Sequence, residues 1–464
     1  MSENAPIRDA RELGVPKMII LGLQHMFAMF GATVLVPIIT GLSVSTTLLC
    51  AGLGTLLFHI ITKRKVPAFL GSSFAFLGGY AAIAPAEGAG GMTQAQLLPY
   101  ACFGVACAGL VYFILAACIK AVGVNKVMRY FPPVVTGPII IAIGLGLAGS
   151  AINNCQTDWL VAIVALAVVI IFNIWGKGMM KIIPIILGVV ASYIVAIIRA
   201  DVDFAPIKDA AWIGLPVHTS STIFAIDWSN KSLIISAVIA IVPIALATMM
   251  EHIGDISAIS ATTGENYIKD PGLHRTLMGD GFATTLASIF GGPANTTYGE
   301  NTGVLVLTKV YDPKVIRLAA CFAAFLSFCP KFAAVIETIP AATIGGISFV
   351  LYGMISAAGV RNIVDSRVDF TNNRNLIVAA VILVTSLGLT AGATFSIGSV
   401  TITLSALAVA SIAGIVLNAI LPGKDFDFEE DAPIDTGASL SSSANAKDVK
   451  KTKKAEAKEA AAEA

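Results

Sequence analysis

Long stretches without a charged side chain alternate with short polar segments along the whole chain, and this alternation predicts membrane-spanning helices. A spanning helix needs about 20 mostly apolar residues, so the first and last stretches are each long enough for two helices. By the same length rule, the chain holds roughly 14 spans. The uncharged stretches are Met18–Thr62, Val66–Ala86, Gly88–Ile119, Tyr130–Thr157, Trp159–Gly176, Ile182–Ile198, Ser232–Met250, Thr338–Val360 and Leu376–Gly423.

Composition supports an all-α polytopic membrane protein. Hydrophobic residues make up 56% of the 464, charged residues 13%, and the mean hydropathy is +0.82. Soluble domains carry about twice that share of charged residues. The apolar stretch that begins at Met18 continues directly into a second span, which predicts an uncleaved first helix in place of a signal peptide.

The positions of lysine and arginine predict the orientation. Short cytoplasmic loops of membrane proteins are enriched in these residues. With an even number of spans and both termini inside, only four of the 30 lysines and arginines lie outside: Arg199, Lys208, Lys231 and Lys331. We therefore expect a multi-pass cell-membrane protein, in contact with membrane lipid, whose N- and C-termini are cytoplasmic. The net charge of +1 points to no particular partner, and we expect no nucleic acid.

A polar stretch, Asp201–Asn230, divides the chain into two halves with similar organisation. Each half opens with a span that carries a polar pair and is followed, two spans later, by a segment rich in Gly, Pro, Ser and Thr. Seven spans per half is an odd number, so the halves would be inverted relative to each other. The pairs are Gln24-His25 and Glu251-His252, and the interrupted segments are Pro67–Phe76 and Pro293–Gly303.

Interrupted segments at matching positions of inverted repeats indicate a substrate site near the membrane midplane. The alternative is that small residues only allow close helix packing. Glu300 favours the site, because it is the only charged residue between Gly281 and Thr308. A charge near the bilayer centre costs about 2.5–3.5 kcal/mol, and irregular backbone at that depth is tolerated where it lines a protein cavity.

Two further acids precede this segment. Glu251 and Asp255 are four residues apart, so on a helix they share one face. Burial favours the protonated form of a carboxyl group, which makes both candidates for proton coupling. Two such acids could accept hydrogen bonds from ring N–H groups, worth about 1.5–3 kcal/mol each. The alternative, that the group faces cytoplasmic water, is stronger for Asp255 than for Glu251.

Other polar and aromatic residues are weaker candidates. Phe74 and Tyr298 could flank a bound ring, although apolar packing is the commoner role of an aromatic side chain. For Gln24 and His25 a polar contact between helices is favoured over ligand binding. None of the seven cysteines has metal-ligand spacing, and we expect neither a metal nor a cofactor. No nucleotide-binding or nucleophile motif supports an ATP-driven transporter or a membrane-embedded enzyme.

The quoted segments resemble the nucleobase–ascorbate transporter (nucleobase–cation symporter-2) family, and within it the bacterial uracil permeases most closely. The segment containing Glu300 matches the family signature. The matching elements are Leu23–Pro37, Gly71–Phe76, Glu251–Gly254, Asp270–Arg275, Asn295–Gly303 and Thr308-Lys309.

The resemblance implies a 7+7 inverted repeat of 14 spans with short β-strands in the broken third and tenth spans. It also implies proton-coupled uptake of uracil by alternating access, and a homodimer joined through its gate helices. By position, Glu251 and Glu300 would hold the pyrimidine, and Phe74, Tyr298 and Gly299 would contact it. Glu251 and Asp255 would couple protons, and Gln24, His25, Asn301 and Ser73 would form a secondary polar site.

One position departs from the pattern. Asp255 stands where uracil permeases place histidine, and several purine transporters carry aspartate there. The sequence Tyr298-Gly299-Glu300-Asn301 nevertheless favours uracil over xanthine or urate. An anion exchanger on the same scaffold is a further alternative, but it needs a positive site, and acids facing the cavity argue against one.

The resemblance and the hydrophobic pattern together predict domain boundaries. They are 1–15 for the cytoplasmic N-terminus, 16–120 and 231–330 for the core domain, 121–200 and 331–421 for the gate domain, 201–230 for an extracellular linker, and 422–464 for a disordered cytoplasmic tail.

Overall fold

The structure is a computed structural model that describes residues 6–199, 201–389, 392–397 and 400–423. The predicted C-terminal tail beyond residue 423 and the first five residues lie outside the described residues. The described chain is mostly helical, and its helices are numbered here in chain order.

The helices of the first half begin after a short turn of 3₁₀ helix at Ala10–Leu13. They are α1 (Val15–Thr40), α2 (Val44–Ile61), α3 (Leu77–Ile83), α4 (Gln94–Val122), α5 (Val124–Met128), α6 (Pro133–Gly146), α7 (Ala148–Cys155), α8 (Trp159–Trp175), α9 (Met179–Ile182) and α10 (Pro184–Ile198).

A short helix, α11 (Ala205–Asp209), lies in the stretch between the halves. The second half contains α12 (Lys231–Ile241), α13 (Ala245–Thr263), α14 (Leu273–Ile289), α15 (Gly299–Thr308), α16 (Pro313–Leu326), α17 (Pro330–Glu337), α18 (Ala341–Asp365), α19 (Asn373–Gly388) and α20 (Ala406–Ile420). The strands are β1 (Leu70–Ser72), β2 (Asn295–Thr297), β3 (Ala393–Ile397) and β4 (Val400–Leu404).

Many of these helices suit a membrane. Among the described residues, six helices or helix pairs are long and apolar enough to span one, and there are seven if α16 and α17, which bend by 88°, count together. Five shorter apolar helices add to them. Large apolar side chains such as Ile174, Trp175 and Ile198 are exposed, as expected for surfaces that face lipid.

Helices from the two halves interleave in two bundles. In one bundle, α14 packs on α4 and α2, and α16 packs on α2 and α1. In the other, α18 packs on α6, α7 and α8, and α19 packs on α6 and α20. Each bundle therefore needs helices from both halves of the chain.

Strands β1 and β2 join the two interrupted segments. They pair antiparallel, with Leu70 opposite Thr297 and Ser72 opposite Asn295. The ladder is extended at both ends, because Ser73 N donates to Ala294 O (2.8 Å) and Tyr298 N donates to Phe69 O (3.0 Å). The backbone groups freed by breaking both helices are thus paired with each other.

A second strand pair differs from the sequence prediction. The stretch 376–423 was expected to hold two helices, and α19 and α20 are present, but β3 and β4 pair antiparallel between them. This segment contains four consecutive β-branched residues, Val400-Thr401-Ile402-Thr403. The length rule counts apolar residues without regard to this preference for strand.

Close packing between the halves depends on glycine at particular positions. A Cβ atom added to Gly52 in α2 would lie 2.5 Å from Ala320 O in α16. The two helices therefore approach so closely that no side chain fits between them.

We predict that Gly52→Ala destabilises the protein by about 1–3 kcal/mol, the usual cost of overpacking a core. Gly353→Ala is the matched control, because Gly353 lies in α18 with nothing within 4 Å of the added atom. Thermal unfolding of the two purified variants measures the difference. Equal unfolding temperatures would contradict the close approach of α2 and α16.

Candidate functional site

The N-terminus of α15 is placed by the broken segment before it. Helix α14 ends at Ile289, Gly291 adopts a positive φ of 79°, and Pro293 prevents the helix from continuing. Strand β2 follows, and α15 begins at Gly299 with no capping hydrogen bond from the side chain of its N-cap residue, Tyr298. The N–H groups of that turn are therefore available to acceptor atoms, and Glu300 lies among them.

Helix α13 brings two acids to this N-terminus. Thr297 Oγ1 donates to Asp255 Oδ2 at 2.7 Å. The other oxygen, Asp255 Oδ1, lies 3.9 Å from the point where a Cβ atom on Gly299 would sit. Glu251, one turn earlier on the same helix, interacts electrostatically with Asp255 and Glu300. Three carboxyl groups from two elements therefore meet at the start of α15.

Glu251 has an unfilled bonding capacity. Its Oε2 is buried, and no hydrogen-bond donor among the described residues reaches it. Leaving a buried polar atom without a partner costs about 1–3 kcal/mol, and more for a charged group. Such an atom beside the uncapped start of α15 is suited to a donor from a ligand or to a proton.

Tyr298 packs against the strand pair next to the site. Its hydroxyl donates to Ser72 O at 2.8 Å and lies 3.4 Å from Thr33 Oγ1. Its ring fills the space beside Gly71, where a Cβ atom would lie 2.5 Å from the ring. The side chain is 5% exposed and points into α1 and β1, so its hydroxyl is already used within the protein.

Phe74 contacts a helix of the bundle that contains α18. Its ring meets that of Tyr352 in α18 edge to face, with centroids 5.8 Å apart. Its neighbour Ser73 has a buried hydroxyl with no partner among the described residues. The start of the first broken helix thus touches the second bundle.

The secondary polar residues join α1 to α15. Asn301 Nδ2 lies 3.2 Å from His25 Nδ1 and 3.0 Å from His25 O. His25 is 1% exposed. Gln24 Oε1 is buried and has no partner in the described part of the chain. The structure therefore brings Gln24 and His25 next to the helix that carries Glu300.

The structure adds two residues that were not singled out from the sequence. Asp280 in α14 is fully buried, with its Oδ2 3.1 Å from His252 Nδ1, and it interacts electrostatically with Glu251. Asp280 lies just outside the stretch Gly281–Thr308, in which Glu300 is the only charged residue. An acid inside an apolar helix is nevertheless a sequence signal of a functional residue. Thr297 carries no comparable signal, because threonine is common in strands.

The described residues include no group of three or more His, Cys, Asp or Glu side chains able to hold a metal ion. The seven cysteines are free thiols.

Comparison with known proteins identifies the family. Residues 16–395 match the model of the Permease family, Xan_ur_permease. The chain belongs to this family. It is 40% identical over 436 residues to a uracil permease of Bacillus subtilis, covering 91% of this chain and 97% of the relative. It is 42% identical over 433 residues to a uracil permease of Bacillus caldolyticus, covering 91% and 96%.

Solved structures show the same fold at low identity. The transmembrane domain of the cyanobacterial bicarbonate transporter BicA gives a TM-score of 0.58 at 15% identity, covering 88% of this chain and 99% of that one. The structure of SLC26A9 gives 0.62 at 11% identity, covering 87% and 64%. The chain is therefore a multi-pass membrane permease and not an enzyme.

We predict that Tyr298→Phe lowers stability by about 0.5–1.5 kcal/mol, the net worth of one buried hydrogen bond, and leaves substrate affinity within about threefold. The reason is that the hydroxyl faces Ser72 and Thr33. Tyr193→Phe is the matched control, since it removes a hydroxyl bond to Thr338 in α17–α18 (2.8 Å). Thermal unfolding and equilibrium binding measure the two effects. A large loss of affinity at unchanged stability would mean that the hydroxyl faces the ligand.

Proposed function

We propose that the chain takes up uracil across the plasma membrane by alternating access, coupled to protons. The observation that carries this proposal is the meeting of Glu251 and Glu300, with Asp255, at the uncapped start of α15. Two relatives named uracil permease, at 40% and 42% identity over nearly their full length, support the substrate.

The ring of uracil matches the groups at the site. Uracil presents two N–H donors and two carbonyl acceptors. Glu251 and Glu300 accept from the N–H groups, and the first-turn N–H groups of α15, beginning at Gly299, donate to a carbonyl. Hydrogen bonds to charged partners are worth about 1.5–3 kcal/mol each, enough to give a small polar ring useful affinity. The ring of Phe74 and the backbone of Tyr298 contribute further contacts at the two broken segments.

Protons provide the driving force. Glu251 and Asp255 lie four residues apart on α13, and Asp255, Asp280 and Glu300 all act electrostatically on Glu251. Glu251, Asp255 and Glu300 are half-buried, and carboxyl groups held close together at a partly desolvated site exchange protons with their surroundings as access changes. Gln24, His25, Asn301 and Ser73 act as a secondary polar layer beside the substrate.

A purine substrate such as xanthine or urate is the runner-up, favoured by Asp255 where uracil permeases have histidine. Anion exchange is the less favoured alternative. The solved structures with this fold include a bicarbonate transporter and an anion transporter, but their identity to this chain is at most 15%. A cluster of three acids repels an anion, so the site opposes that function.

We further propose a 7+7 inverted repeat of 14 spans. The span-sized helices, the bent pair and the shorter apolar helices, taken with α14 and α15, support this count. The antiparallel pairing of β1 with β2 is the arrangement expected for two segments related by a two-fold axis.

The core domain comprises 16–120 and 231–330, and the gate domain comprises 121–200 and 331–421. The exposed Val364 and Val384 on gate helices suit a homodimer interface.

Contacts between loops support the proposed grouping of the loops on two sides of the membrane. Segments assigned to the inside touch each other: Arg8 pairs with Glu265, and Lys65 pairs with Asp270 and keeps the pKa of that carboxyl below its ordinary value. On the outside, Lys331 lies over the Trp212 ring at 5.1 Å. Both of these residues were assigned to the extracellular side.

Competition for radiolabelled uracil uptake tests the substrate. Uracil, thymine, xanthine, urate and guanine are supplied in turn to membranes containing the protein. Uracil is expected to compete most strongly. Strong transport of xanthine with no response to uracil would replace uracil by a purine while leaving the role of the acids open.

We predict that Glu300→Gln weakens uracil binding about 10- to 100-fold, the equivalent of one lost charged hydrogen bond. The amide keeps the size of the side chain but replaces an acceptor oxygen with a donor. Equilibrium binding to purified protein measures the loss. Glu337→Gln is the matched control, because Glu337 is exposed at the end of α17. Near-normal binding by Glu300→Gln would remove Glu300 from the site.

We predict that Glu251→Gln retains measurable uracil binding but loses proton-driven accumulation, because an amide side chain does not take up or release a proton at physiological pH. Uptake into energised vesicles with and without a protonophore measures the coupling, and Glu251→Ala should abolish transport. If uptake by Glu251→Gln still collapses with protonophore, Glu251 is not the coupling group.

A further inference from the structure

Thr297 is held in place by strand pairing and by burial. It is the last residue of β2, is paired with Leu70 in the ladder, and is 2% exposed. The next residue, Tyr298, is anchored by its amide to Phe69 O and by its hydroxyl to Ser72 O. The Thr297 hydroxyl therefore has a fixed position, and it donates a hydrogen bond to Asp255 Oδ2 at 2.7 Å.

This hydroxyl donates a hydrogen bond to Asp255, and several acids surround that carboxyl group. Glu251 lies one turn before it on α13, Glu300 lies on α15, and Asp280 on α14 is paired with His252. Burial and neighbouring negative charge favour a protonated carboxyl, whereas a donated hydrogen bond favours the ionised form. The balance at Asp255 consequently depends on Thr297.

We propose that Thr297 is a positioning residue whose hydroxyl orients the Asp255 carboxyl and favours its ionised form, so that Asp255 releases its proton more readily. One oxygen of Asp255 is held toward β2, and the other remains directed at the start of α15, beside Gly299. Removing the donor makes the proton harder to release, so the protonation midpoint of Asp255 moves to higher pH. This inference rests on the proposed function for its role in transport, but the contact itself can be tested without substrate.

Infrared spectra of the purified full-length protein across pH provide that test. A buried protonated carboxyl gives a band that is assigned to Asp255 by its absence in Asp255→Asn. Thr297→Val, which keeps the shape but loses the hydroxyl, should raise the midpoint by about one pH unit, a tenfold change in proton affinity. Thr297→Ser keeps the hydroxyl and should titrate like the wild type. Thr297→Ala is the second hydroxyl-free variant if valine prevents membrane insertion.

The pH profile of uracil uptake gives the functional readout. It should shift in the same direction in Thr297→Val, and Thr297→Val should add no shift to Asp255→Asn. An unchanged midpoint in Thr297→Val, or equal shifts in the valine and serine variants, would overturn the proposal and leave Thr297 a packing residue. If the wild type takes up no uracil, the proposed substrate fails, while the infrared titration still decides the role of Thr297.

Discussion

The antiparallel pairing of β1 with β2 is the interaction on which the rest of the structure depends. Breaking a helix inside a membrane protein frees backbone N–H and C=O groups that lipid cannot satisfy. Here two broken segments, from opposite halves of the chain, satisfy each other from Phe69 to Ser73 and from Ala294 to Tyr298. This pairing fixes where α15 begins, and therefore where Glu300 lies relative to α13.

Polar groups around the strands are of two kinds: some are hydrogen-bonded within the protein and support the fold, and others lack a partner and are candidates for function. Tyr298, Asn295 and Thr55 have partners within the protein: Ser72 O, Cys50 O and the backbone of Leu70. Glu251 and Ser73 have buried polar atoms that no donor or acceptor in the described chain reaches. Satisfied groups hold the strand crossing rigid, and the unsatisfied ones beside it are suited to a ligand or a proton.

Sequence could predict the membrane class, the two broken segments and the family, because an acid among apolar residues and glycine-rich breaks are local signals. It could not predict that Thr297 binds Asp255 or that Asp280 lies beside His252, since these contacts join elements 42 and 28 residues apart in the chain. Nor could the sequence show that the hydroxyl of Tyr298 donates to Ser72 O in β1 and lies beside Thr33 in α1. The β3–β4 pair was missed because apolar length alone does not distinguish strand from helix.

Uptake by purified protein in proteoliposomes is the most direct test of the central claim, that the acids at the start of α15 couple uracil transport to protons. With an inward proton gradient and no sodium, the wild type should accumulate radiolabelled uracil, and a protonophore should abolish accumulation. Glu300→Gln, reconstituted at equal density, should accumulate almost none. Accumulation that ignores the proton gradient, or that follows a chloride or bicarbonate gradient instead, would contradict the account.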